Sequence, residues 1–78
     1  MTEQQKSYLR AVAKEAIRRG LEMAEEFGED ETSWFRLNRA YNAIVAYLSD
    51  KILNAPRLRE ALINKTFEKV LASGAHLK

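Results

Sequence analysis

At 78 residues this chain has room for one domain and no more. Its 46% hydrophobic and 31% charged residues exclude a disordered chain, and a net charge of +2 is too small to point to a partner. With no cysteine, disulfides and thiolate metal ligands are excluded, and the single histidine, His76, lies near the C-terminus.

The periodicity predicts a first helix over residues 2–27. Thr2 can cap it, and Gln5 is placed to close a capping box. Leu9, Val12, Ala13, Ala16, Ile17, Gly20, Leu21, Ala24 and Phe27 follow the i, i+3, i+4 pattern of one buried face. Ala13, Ala16, Gly20 and Ala24 make that face smooth enough for close helix approach. Gly20 costs about 1 kcal/mol of helix propensity relative to Ala, which points to a packing reason for it.

The same helix carries Lys6, Arg10, Lys14 and Arg18 at i, i+4 spacing, then Glu22, Glu25 and Glu26. That order opposes the helix dipole, which favours acids first and bases last. A solvated mixed-charge face is one account of it, and two others follow from contacts between helices in an up-down arrangement. Either Arg36 and Arg39 of the next helix meet the acidic end, or two antiparallel copies of helix 1 set basic half against acidic half.

Residues 28–33 read as a loop, with Gly28 suited to the position after the first helix and Asp30, Thr32 or Ser33 able to cap the second. A second helix is predicted over 33–54, its stripe running Trp34, Leu37, Tyr41, Ile44, Val45, Leu48 and Ile52. Trp34, Tyr41, Ile44 and Leu48 are expected to pack against Val12, Ala16, Ile17 and Phe67. Phe35 and Leu53 fall off that stripe.

Pro56 lacks a backbone donor and biases Ala55 out of the helical region, so a third helix is expected over 56–73, ended by Gly74. The alternative is a Pro-kinked continuous helix over 33–73. Residues 75–78 are expected to fray. On the third helix Ile63, Phe67, Val70 and Leu71 share one side, while Leu58 and Leu62 point to another.

The fold class is therefore all-α: a single helical domain over 1–78, a small three-helix antiparallel up-down bundle completed by self-association. A core this small is marginal alone, and with no disulfide to staple it, self-association is the remaining support. No constellation supports catalysis. The serines have no internal histidine as base, the three glycines are isolated, and nothing suggests a metal or a cofactor. No apolar run approaches the roughly 20 residues that cross a bilayer, and the start lacks the pattern of a signal peptide, so a cytoplasmic location without membrane contact is expected.

The function expected is a non-catalytic protein–protein interaction module or small regulator, self-associating as a homodimer and offering a helix surface to another protein. Its interface residues are the basic flank Lys6, Arg10, Lys14 and Arg18 and the off-stripe apolar Phe35, Leu53, Leu58 and Leu62. The alternative is a small DNA- or RNA-binding regulator that uses Arg57, Arg59, Lys65 and Lys69 of the basic third helix.

Overall fold

The computed structural model of the chain describes residues 1–26 and 32–77. Among these, three α-helices account for nearly all the structure: α1 (Glu3–Glu25), α2 (Ser33–Lys51) and α3 (Pro56–Ser73), followed by a short 3₁₀ turn (Ala75–Leu77). The start of α1 lies beside the end of α2, where the Tyr8 hydroxyl donates to the Lys51 carbonyl. The start of α2 lies beside the end of α1, where Arg36 donates to the Ala24 carbonyl. α3 returns along both, its first turns near Ile52 and its last turn near Arg36. The bundle is all-α and up-down-up, 45 × 19 × 14 Å in extent.

Local chemistry sets the helix limits. Thr2 and Gln5 form the capping box, each side chain accepting from the other's backbone N–H at 3.1 and 2.9 Å. Thr32 caps α2, its hydroxyl accepting from the N–H of Phe35. The predicted roles of Phe27, Gly28 and Asp30 lie outside the described residues. α2 stops at Lys51, three residues short of the limit expected. Ile52 leaves the helix in an extended conformation and turns its side chain inward, and Ala55 before Pro56 is held out of the helical region. Arg59 donates to the carbonyl of Ile52, which satisfies a backbone acceptor at this break. Gly74 ends α3 in the left-handed conformation at φ 70°, where a side chain would be strained.

Val12, Ala16, Ala24, Ala40, Ile44, Leu48, Ile63 and Val70 form the centre of the core. Gly20 lies where the three helices meet: a Cβ there would come within 2.8 Å of Ile44 and 2.9 Å of Val70. The helix propensity lost at Gly20 is the condition for this close approach.

Two expectations are corrected by the packing. Trp34 and Tyr41 are not core residues: Trp34 is 67% exposed and Tyr41 is 38% exposed. The buried row of α2 is Arg36, Ala40, Ile44 and Leu48, so the helix is rotated from the predicted stripe toward a charged side chain. Residues 75–77 do not simply fray either, and Lys78 lies outside the described residues. Ala75 is buried, and its carbonyl accepts from Arg36 at 3.0 Å.

Arg36 is 6% exposed and bonds to the last turn of α1 through Ala24 (2.8 Å) and Glu25 (3.5 Å) as well as to Ala75. Arg39 adds bonds to the carbonyls of Met23 and Glu26. α1 has no base in its own last turn, and α2 supplies the two cations that its C-terminal dipole favours.

Two outcomes follow for thermal and denaturant unfolding. Gly20→Val should destabilise by about 1–3 kcal/mol, the cost of overpacking a filled core. Arg36→Met should cost about 1.5–3 kcal/mol, the range for hydrogen bonds to a charged group, and so should removal of residues 75–78. Because both changes break the contact between Arg36 and Ala75, their combination should cost less than their sum.

Candidate interaction surface

The basic flank of α1 divides into side chains that are engaged within the helix and side chains that are not. Arg18 grips Glu15 with two hydrogen bonds, Nε to Oε1 at 2.9 Å and Nη2 to Oε2 at 2.6 Å, and reaches Glu22 with Nη1 at 2.8 Å. Arg19 joins Glu15 at 2.8 Å and lies over the ring of Tyr47. Lys6 stands 3.6 Å from Glu3. Arg10 and Lys14 have no acidic partner among the described residues.

Arg10 flanks a groove of about 240 Å³ between α1 and α3, and Lys14 lies beside it. Leu9, Ala13 and Ile17 of α1 and Leu62 of α3 form its apolar floor. Arg10 stands on one lip, Lys65 and Lys69 stand on the other, and Lys14 borders the adjoining hollow beside Arg10 and Ile17. Among the described residues no carboxylate lines either stretch. Helical spacing produces this arrangement: Arg10, Lys14 and Ile17 share a face of α1, and Leu58, Leu62, Lys65 and Lys69 share a face of α3. Beyond Leu9 the groove continues into a crevice walled by Met1, Tyr8 and Leu58.

The remaining predicted interface residues are dispersed. Phe35 is 60% exposed at the start of α2 and Leu53 is 72% exposed beyond its end, so a full helix length separates them. Leu58 and Leu62 are half-buried along the groove. The nucleic-acid set is divided as well. Lys65 and Lys69 join the groove, Arg57 is exposed at the first turn of α3, and Arg59 is half-buried on the Ile52 carbonyl.

Sequence reasoning assigned Arg10 and Lys14 to one surface and Lys65 and Lys69 to another. What joins them is the packing of α1 on α3, for which the only sequence signal was that Leu58 and Leu62 share the side of the two lysines. A second exposed feature was also missed. Tyr41 packs edge-on to Phe67 as expected, with ring centroids 5.0 Å apart, but at the surface and not in the core, and Trp34 lies beside this pair along α2. Among the described residues no group of His, Asp or Glu is arranged to hold a metal ion, and no helix is long and apolar enough to cross a membrane.

The bonds from Arg18, and then from Arg19, hold the Glu15 carboxyl down at about 2, against an ordinary value of 4.5. The same pairing holds the Arg18 guanidinium still further above its usual range. Since Glu15 is more acidic folded than unfolded, its contribution to stability is complete above about pH 4.5 and is lost as the pH falls toward 2. Arg18→Gln should raise the Glu15 titration toward 4.5 in an NMR carboxyl titration. The difference in Tm between wild type and variant should shrink over the same pH interval.

No family model matches this chain, and no curated protein or solved structure is recognisably similar to it, so its function has to be sought in its own surface.

Proposed function

We propose that this chain is a non-catalytic protein–protein interaction module that receives a helix in the groove between α1 and α3. One observation carries the proposal: the groove combines an apolar floor with the cations Arg10, Lys65 and Lys69, Lys14 stands at the hollow that adjoins it, and among the described residues no carboxylate lines either. An amphipathic helix with acids beside an apolar stripe satisfies both features at once, which is the helix-in-groove mode of recognition. Its stripe covers Leu9, Ala13, Ile17 and Leu62, while its acids meet the four cations at the rim.

A nucleic-acid backbone matches the groove less well. Phosphates would meet the cations but leave the apolar floor uncovered, and Arg59 is already engaged with the Ile52 carbonyl. Rim cations on a protein partner steer and orient, while the floor contributes most of the affinity.

Fluorescence anisotropy tests this with three labelled probes: a helical peptide of about 18 residues with Glu beside a Leu stripe, the same peptide with Lys for Glu, and a DNA duplex. The acidic peptide should bind, and Lys65→Glu with Lys69→Glu should weaken it roughly tenfold, as expected for two rim charges at up to about 1 kcal/mol each. Tighter binding to the duplex than to the peptide, or peptide binding indifferent to both lysines, would overturn the proposal.

A further inference from the structure

We infer that the helix received by the groove is α1 of a second copy of this chain, laid antiparallel across a two-fold axis near Ile17. The inference rests on the groove being the interaction surface and adds the identity of its occupant.

The evidence is charge complementarity along a single face. At 100° and 1.5 Å per residue, Arg10, Lys14, Ile17, Leu21 and Glu25 fall within about 80° of one another on α1, with roughly 22 Å between Arg10 and Glu25. The face is basic at one end, apolar in the middle and acidic at the other. Ile17 and Leu21 are half-buried, and Arg10, Lys14 and Glu25 are exposed. A two-fold axis between residues 17 and 18 sets Arg10 of each copy opposite Glu25 of the other and Lys14 opposite Leu21, with Ile17 beside the axis and the Lys14 stem lying along Leu21. A parallel copy would set like charge against like.

The charges at both ends are available. Neither Arg10 nor Lys14 forms an ion pair among the described residues, and neither do Glu25 and Glu26. Glu22 is held by Arg18 and is not needed for the contact. The α3 lip borders the same seam, since Lys65 lines the groove together with Arg10 and Ile17.

Sedimentation of the full chain from 1 to 100 µM tests the inference, with circular dichroism showing that each variant is folded. The wild type should form a species of twice the 9.0 kDa chain mass and dissociate as salt is raised. Arg10→Glu alone and Glu25→Arg alone should each weaken the dimer about tenfold, and the two substitutions in one chain should restore it. A monomer throughout this range overturns the inference, and so does a dimer that the single substitutions leave unchanged. The peptide titration separates this failure from failure of the groove itself: a monomer that still binds the acidic peptide through Lys65 and Lys69 keeps the groove and loses only the second copy as its occupant.

Discussion

The bundle depends on a buried arginine. Taking a guanidinium out of water costs several kcal/mol, and Arg36 offsets this by donating to carbonyls at the end of α1 and in the C-terminal turn. Those carbonyls are good partners for a cation because the last turn of a helix concentrates negative partial charge. The geometry makes three demands on the fold. α2 must enter beside the end of α1, α3 must finish beside the start of α2, and the chain after Gly74 must turn back to bring in Ala75. One side chain thereby relates all three helices at one end of the bundle, while the meeting of Gly20 with Ile44 and Val70 sets the spacing in its middle.

From these two contacts follows what is left on the surface. Rotating α2 to bury Arg36 carries Trp34 and Tyr41 outward, since they lie on the far edge of that helix. The glycine and alanine face of α1 packs more extensively against α2 than against α3. The seam on the α3 side is therefore left only half-covered, with Leu9, Ala13, Ile17 and Leu62 in its floor. The groove is a consequence of building the tight α1–α2 contact first and fitting a less regularly amphipathic helix against it.

Much of this was legible in the sequence wherever a local rule operates. Thr2 with Gln5, Pro56 and Gly74 punctuate the helices as their chemistry dictates, and the smooth face of α1 pointed to the close packing at Gly20. What was not legible came from one residue read by its type. A charged side chain ordinarily lies on the surface, so a stripe read by residue type omits Arg36 and the small Ala40 and takes in the larger Trp34. The buried C-terminal turn was missed for the same reason, because its anchor is a side chain 39 residues earlier in the chain. The union of Arg10 and Lys14 with Lys65 and Lys69 depends on which faces of two helices meet, and the third helix, with apolar residues on two sides, left that face undetermined.

The charge order of α1 follows the same logic. A helix with bases early and acids late opposes its own dipole, at about 0.3–1 kcal/mol for each exposed charge so placed in the first or last turn. Part of this is compensated inside the chain, by Arg36 and Arg39 at the C-terminal carbonyls and by Arg18 and Arg19 on Glu15. Among the described residues, Arg10 and Lys14 at one end and Glu25 and Glu26 at the other form no ion pair. Solubility alone does not call for charges sorted by sign along some 22 Å of helix, since an interspersed order would serve equally well. Sorting does have a directional effect once another helix lies alongside: it rejects one orientation and accepts the other, while the apolar residues between the charged ends supply the affinity. On the reading proposed above, the unfavourable charge order within one helix is the feature that specifies how a second helix is received.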